Sequence, residues 1–310
     1  MGAHGPRGRA ARRRGGARVA GSPAVRAFHF TSRGNAANED FARAGALPGG
    51  GAYGVVIDGA TGLAGEALFL PRFSTNAQWL SHATGAALCH ALEAGVPANE
   101  ALVRAVATSR SELKAAAGRP LGRMDPDAVP SATLALAVAG ERDVELWGLG
   151  DSPLVALLRT GELVVSTDEA LEALDARVVE LMLERSAGRD LTVSDRRALV
   201  RDEVLANRRL RNTPDGYWCL DPSGAGVAHA RRLTLPRADV VAVAGMSDGL
   251  FRAFGQYGLA SLAEWMGDAT YLSARELCER MRALEAADAG LERFPRMKVG
   301  DDASLFVIAP

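Results

Sequence analysis

Carboxylates stand at the ends of apolar segments in three distant parts of this chain. Asp58 ends one such segment, Asp248 follows another, and Asp301 and Asp302 precede a third. Segments this apolar are expected to be buried, and a carboxylate at their rim is costly unless it is paired, hydrogen-bonded or bound to a metal. If the three segments meet at one edge, their carboxylates repel one another unless cations neutralise them. The pattern therefore predicts a site for a hard cation such as Mg²⁺ or Mn²⁺, with oxygen ligands.

Composition and charge are those of a soluble globular protein. The 310 residues are 48% hydrophobic and 24% charged, which is enough for a well-filled core. A net charge of −1 provides no overall field for nucleic acid or an anionic membrane, so neither is expected as a partner. Cys89, Cys219 and Cys278 lack the spacing of a zinc site or a disulfide framework, which favours a reducing cytoplasm. No apolar run approaches the roughly 20 residues that span a membrane.

The amino-terminal segment differs from the remainder of the chain. Residues 1–20 contain six arginines, many glycines and no acid. Such a segment cannot bury enough apolar surface to order itself, so we expect a disordered basic tail over 1–22 and one folded domain over 23–310. A basic arm that touches polyanions and a transit peptide are the alternatives.

Hydrophobic periodicity predicts an α+β fold. In chain order the predicted elements are strands at 24–32 and 51–58, helices at 74–94 and 99–117, strands at 131–139, 144–149, 154–159 and 162–165, a charged helical stretch at 168–211, strands near 227–235 and 239–244, helices at 249–254, 261–269 and 273–288, and a strand at 303–308. Short connections after 139 and 159 resemble hairpins, so the sheet of four successive strands is expected to be largely antiparallel. Helix pairs between such strands suggest helices covering stacked sheets.

Five acidic motifs occur in a fixed order along the chain. They are Asn-Glu-Asp at 38–40, Val-Ile-Asp-Gly at 56–59, Gly-Asp-Ser at 150–152, Ser-Asp-Gly-Leu at 247–250 and Gly-Asp-Asp-Ala-Ser at 300–304. Each alone is a common turn or helix cap. Together they resemble the PPM-type metal-dependent protein phosphatases, the type 2C serine/threonine phosphatases, over roughly residues 24–309, and segments 211–218 and 228–230 resemble bacterial members. The resemblance implies a four-layer α-β-β-α sandwich of two largely antiparallel sheets flanked by helices.

The resemblance also implies a metal centre of two Mn²⁺ or Mg²⁺ ions and a weaker third. The implied ligands are Glu39, Asp58, the Gly59 carbonyl, Asp151, Asp248 and Asp301. Asp58 would bridge the first two ions, and Asp151 with Asp248 would bind the third. Asp40 is implied as a catalytic residue that orders water beside the ions.

Two positions depart from the family pattern. The family's phosphate-binding arginine stands three residues before the asparagine of the first motif, where this chain has Asn35. Arg33 is the nearest candidate for that role, and a solvated loop arginine is the alternative. Ala60 stands where eukaryotic members often have a histidine, so protonation of the leaving group would fall to water.

The implied activity is hydrolysis of phosphoserine and phosphothreonine in phosphorylated protein substrates, by a water that the ions activate. A pseudophosphatase, which keeps the fold as a binding or scaffold module, and a phosphatase of small phosphoesters are the alternatives. The family's variable flap falls at about 168–215, where a run of arginines alternates with acids: Arg196, Arg197, Arg201, Arg208, Arg209 and Arg211. These arginines are expected to form a solvated helix face or to contact a protein substrate.

Overall fold

The computed structural model describes residues 26–60, 70 and 72–310. The expected tail over 1–22 and the first two residues of the first predicted strand lie outside this range. The elements are β1 (Arg26–Ser32), β2 (Asp40–Ala46), β3 (Ala52–Ala60), α1 (Asn76–Glu93), α2 (Ala98–Ala117), β4 (Ser131–Ala139), β5 (Asp143–Leu149), β6 (Leu154–Leu158), β7 (Leu163–Ser166), α3 (Glu169–Ser186), α4 (Val193–Ala198), α5 (Arg201–Arg209), β8 (Arg231–Pro236), β9 (Val240–Met246), α6 (Asp248–Phe251), α7 (Leu262–Gly267), α8 (Tyr271–Ala287) and β10 (Ala303–Ala309). Within the described residues, no helix has both the length and the apolar character needed to cross a bilayer.

The strands form two five-stranded antiparallel sheets. One sheet has the order β1-β10-β9-β6-β7 and the other β2-β3-β4-β5-β8. Helices α1 and α2 pack on the second sheet, and α6 to α8 pack on the first. The predicted α+β sandwich of two antiparallel sheets flanked by helices is confirmed.

Three apolar cores separate the four layers. Along β3, Val55 and Ile57 face the helices α1 and α2, whereas Val56 faces the space between the two sheets and packs in one core with Phe306. Met281 of α8 lies in the third core, on the outer face of the other sheet. Successive side chains of a strand point to opposite faces, so one strand, β3, supplies both of the cores that it borders.

One strand was not predicted, and a second is shorter than predicted. Strand β2 consists largely of alanine, glycine and polar residues, which have low strand propensity, yet it pairs with β3 at seven positions from Asp40 to Ala46. The strand predicted near 227–235 begins only at Arg231, because Ala225–His229 form a 3₁₀ turn. Pairing with β3 therefore overrides local propensity in β2, whereas the 3₁₀ turn delays the start of β8.

The expectation that β4 to β7 form one sheet is wrong. Strands β4 and β5 belong to one sheet, and β6 and β7 belong to the other, so residues 150–153 cross between the layers. Gly150 has φ +66°, and a Cβ there would lie 2.5 Å from the Thr133 side chain, so glycine is required at this turn. The crossing places the next residue, Asp151, at an edge that the two sheets share.

The charged stretch at 168–211 folds as three helices, α3 to α5. We call residues 168–215 the insert. Its helices bury a small core of their own around Val178, Met182 and Val200, and Leu171 packs on Tyr217 and Cys219. The insert thereby forms a wall beside the edge where the two sheets meet.

Candidate metal centre

Antiparallel pairing brings the acidic motifs to one edge of the sandwich. In the first sheet, β9 ends and β10 begins at neighbouring positions, with Leu305 opposite Met246. Asp248 and Asp301 therefore leave the sheet together. In the second sheet, Asp40 at the start of β2 lies directly opposite Asp58 near the end of β3. Four carboxylates from distant parts of the chain thus emerge at the same edge because neighbouring strands run in opposite directions.

A cavity of about 720 Å³ opens at this edge. Its lining includes all six residues expected as metal ligands: Glu39, Asp58, Gly59, Asp151, Asp248 and Asp301. Asp40 is buried behind this lining, next to Asp58. Arg33 is exposed and is not among the lining residues; its side chain donates to the Ala36 carbonyl at 3.3 Å, within its own loop.

The carboxylates at the centre of the site are held at high pKa. Burial raises the pKa of Asp58 well above its usual value, and the charges of Asp40 and Asp248 raise it further. Burial and the charge of Asp302 raise the pKa of Asp40 to about 7, and the Ser304 and Ser247 hydroxyls offset only part of that rise. Burial and the charge of Asp248 also raise the pKa of Asp151. Like charges directly opposite on paired strands are destabilising, so this edge requires positive charge.

Two basic side chains supply part of that charge. Arg252 contacts Asp248 at 2.5 Å and Asp301 at 3.6 Å, and the Lys298 ammonium contacts Asp301 at 2.9 Å. Burial raises the pKa of Asp248, but Arg252 and Lys298 outweigh it, and the net shift is downward. Within the described residues, these pairs leave Asp58, Asp40 and Asp151 without a basic side chain at a comparable distance.

The residues at this edge fit a hard divalent cation in type, and they line one cavity. The donors are carboxylates and one backbone carbonyl, which Mg²⁺ and Mn²⁺ prefer, and the raised pKa of Asp58 reflects charge that a cation would neutralise. Across residues 26–60, 70 and 72–310, however, no three His, Cys, Asp or Glu side chains are already arranged around a common ion position. Coordination by Asp248 and Asp301 would require both carboxylates to exchange Arg252 and Lys298 for the ion.

Asp302 fixes the loop that carries Glu39. Its buried carboxylate accepts the backbone N–H groups of Gly34 at 2.8 Å, Asn35 at 3.4 Å and Glu39 at 2.7 Å. On the other side, the Ser81 hydroxyl and the Gly59 N–H both donate to the Glu39 carbonyl. A Cβ at Gly59 would lie 2.8 Å from that carbonyl oxygen, so glycine is needed for this close approach. These bonds position Glu39 beside Asp58.

The sequence did not single out several residues that line or brace the cavity. Asp175 lies on α3, lines the cavity, and has its pKa raised to about 6 by burial and by Asp248. Arg208 on α5 also lines it. Arg252 stands four residues after Asp248, a helical spacing that could have indicated this pair, and Lys298 stands three residues before Asp301. Asp175 and Arg208 had no such signal, because charged residues occur throughout the insert.

A second cavity adjoins the first. It has a volume of about 890 Å³ and lies between the insert and residues 251–256 and 295–298. Asp151, Asp175, Arg208 and Asp248 line both cavities. Apolar side chains including Val178, Val179, Phe251 and Met297 contribute to its wall. The acidic edge is therefore continuous with a larger and more apolar groove under the insert.

Comparisons with known proteins agree with this geometry. The family model described as Protein phosphatase 2C matches residues 30–292. The serine/threonine phosphatase Stp1 from Staphylococcus aureus superimposes with a TM-score of 0.54 at 14% identity, covering 92% of this chain and 95% of that chain. The Mycobacterium tuberculosis phosphatase PstP/Ppp gives 0.53 at 17% identity, with 92% and 98% coverage. No curated protein matches the chain.

A third solved structure is the catalytic domain of PstP in complex with two manganese ions. It gives a TM-score of 0.51 at 18% identity and covers 92% of this chain and 97% of that chain. At these identities the structures show a shared fold. The resemblance inferred from the five motifs is confirmed by the family match, which extends over well more than half of the residues. The chain belongs to the protein phosphatase 2C family.

Proposed function

We propose that this chain hydrolyses phosphoserine and phosphothreonine in proteins, with Mn²⁺ or Mg²⁺ as its cofactor. The observation that carries the proposal is the meeting of carboxylates from five separate segments at one cavity, in a chain of the phosphatase 2C family. Glu39, Asp58, the Gly59 carbonyl, Asp151, Asp248 and Asp301 would hold two ions and a weaker third. When bound, such ions supply positive charge that neutralises phosphoryl oxygens and makes an attacking water more acidic.

The protein's own residues would prepare this site in three ways. Asp302 and Ser81 hold the Glu39 backbone in place, so one ligand is fixed before an ion arrives. Asp40 lies beside Asp58 with its pKa near 7, which suits a residue that accepts a proton from water or donates one to it. Arg252 and Lys298 lower the pKa of Asp248, which keeps this carboxylate ionised and therefore ready to bind a cation.

A protein substrate is favoured over a small phosphoester by the adjoining groove. The 890 Å³ cavity continues from the acidic edge and has apolar walls, which provides room for residues on either side of a phosphorylated side chain. A small phosphoester would occupy the first cavity alone.

The three cysteines are buried and free, which supports a reducing cytoplasmic location.

A binding or scaffold module with the same fold is the second candidate. The observation that favours it is the pairing of Asp248 and Asp301 with Arg252 and Lys298, which could stabilise the acidic edge without ions. The two candidates are separated by assaying a phosphothreonine peptide and a small aryl phosphate with added Mn²⁺ or Mg²⁺. Turnover with preference for the peptide supports the proposal. Preference for the small ester identifies a small-molecule phosphatase, and absence of turnover on both identifies a binding module.

A further inference from the structure

The candidate cavity is strongly acidic although its proposed substrate is an anion. Six acids line it, and within the part of the chain that the structure describes its basic lining residues are Arg197, Arg208 and Lys298. Lys298 contacts Asp301, one of the expected metal ligands, and Arg197 is exposed. A phosphate group that enters this cavity needs a cationic side chain in addition to any bound ions, because the carboxylates repel it.

Arg208 has the position that such a role requires. It lies on α5 in the insert, is half-buried, and lines both cavities. Asp175 and Glu39 line the first cavity together with Arg208, and their negative charges act on its guanidinium. Burial is the largest influence on its pKa and lowers it, yet an arginine remains charged in proteins. The adjacent Arg209 points away from the cavity lining and contacts Asp127 at 2.7 Å, with 65% of its side chain exposed.

We propose that Arg208 binds the phosphate group of the substrate from the insert side of the cavity. The family resemblance gives this role to an arginine near the amino terminus, for which Arg33 is the nearest candidate in sequence. Arg33 lies outside the cavity lining. The planar guanidinium of Arg208 can donate two parallel N–H bonds to two phosphoryl oxygens. The inference rests on the proposed phosphatase function and names the residue of that site that recognises the phosphate.

The experiment compares the full-length protein with Arg208→Ala, Arg208→Lys and the control Arg209→Ala. Binding of inorganic phosphate to each Mg²⁺-loaded protein is measured by calorimetry, and KM and kcat are measured on a phosphothreonine peptide. We expect Arg208→Ala to raise both the phosphate Kd and KM by roughly 10- to 100-fold, as for loss of a charged hydrogen-bond donor. Lysine restores the charge without the paired donors, so we expect partial rescue. Arg209→Ala, one residue away on the same helix, is expected to change the phosphate Kd less than twofold.

Folding is checked by the thermal midpoint of each variant. If Arg208→Ala unfolds, Arg208→Gln preserves much of the packing and is carried through the same phosphate titration. A phosphate Kd within twofold of wild type in the folded Arg208 variant overturns the inference, as does an equal increase for Arg209→Ala. If Arg33→Ala, measured in the same titration, raises the phosphate Kd and the Arg208 variants do not, phosphate binding belongs to the amino-terminal loop.

The phosphate titration separates this inference from the proposed function. If wild type binds phosphate through Arg208 but hydrolyses no phosphoester, the phosphatase proposal fails and the assignment of Arg208 stands. If wild type hydrolyses the peptide and Arg208→Ala keeps the wild-type KM and phosphate Kd, the assignment fails and the phosphatase proposal stands. If wild type neither binds phosphate nor hydrolyses the peptide, both are overturned.

Discussion

Replacing Asp40 with asparagine tests whether the acidic edge is electrostatically strained in the metal-free protein. Asp40 is 1% exposed, and its folded-state pKa is about 7 against an ordinary 3.8. The folded protein therefore binds the Asp40 proton more tightly than the unfolded chain does. The contribution of Asp40 to the free energy of unfolding is greatest below pH 3.8 and falls as pH rises through 7. A shift of about 3 units corresponds to a loss of up to about 4 kcal/mol once the group is ionised.

Asp40→Asn removes the charge and keeps a side chain of nearly the same size, with an amide oxygen that can still accept from the nearby Ser304 and Ser247 hydroxyls. We expect the variant to exceed wild type in unfolding free energy by up to about 4 kcal/mol at pH 8 and by less than about 1 kcal/mol at pH 4, where both side chains are neutral. Urea denaturation of chelator-treated protein at the two pH values measures both differences. Asp190→Asn, at an exposed position, is the control and should change little.

Two results would refute this reasoning. A variant that is less stable than wild type at pH 8 would show that the Asp40 carboxylate is stabilised by interactions stronger than its repulsion from Asp302 and Asp58. An equal gain at pH 4 and pH 8 would show that the effect comes from packing, because a charge effect must grow as the wild-type carboxyl ionises.

The remaining predictions concern the residues around Asp40. Asp302→Ala deletes the acceptor of two short N–H bonds and one long one. We therefore expect a loss of roughly 2–5 kcal/mol in unfolding free energy, measured by urea denaturation. A change under about 1 kcal/mol would contradict the role of Asp302 in holding the loop that carries Glu39. Asp58→Asn and Asp248→Asn should each reduce turnover by orders of magnitude and weaken Mn²⁺ binding in calorimetry. Asp58→Asn should also hold or raise the metal-free melting temperature, since one of several repelling acids is removed; unfolding on Asp58→Asn with wild-type turnover in Asp248→Asn would identify both as structural acids.

The acidic motifs could be recognised from the sequence because carboxylates such as Asp58 and Asp248 stand at the ends of apolar segments. Asp58 follows 55–57 in a buried strand, where an unpaired carboxylate is energetically costly, so its position indicated a functional site. Strand β2 was not readable, because its alanines and glycine carry no strand signal and only pairing with β3 orders it. The division of β4 to β7 between two sheets likewise depends on the crossing at Gly150, which looks like an ordinary turn in sequence.

The residues of the insert that line the cavity could not be predicted from the sequence, for a second reason. Asp175 and Arg208 look like any other charge on a solvated helix. Only the packing of α3 against Tyr217 and of α5 against α3 places them at the cavity. Arg33 shows the converse, since its position in sequence suggests phosphate binding while its side chain lies outside the cavity lining. Placement by tertiary packing cannot be recovered from spacing along the chain.

The most direct measurement is hydrolysis of a phosphothreonine peptide by the full-length protein before and after its divalent ions are removed. Chelator should abolish turnover, and adding back Mn²⁺ or Mg²⁺ should restore it, because carboxylates alone repel an anionic phosphate and do not make an attacking water more acidic. Turnover that persists in fully demetallated protein would contradict the proposed metal centre, and absence of turnover with every divalent ion would contradict the proposed phosphatase activity.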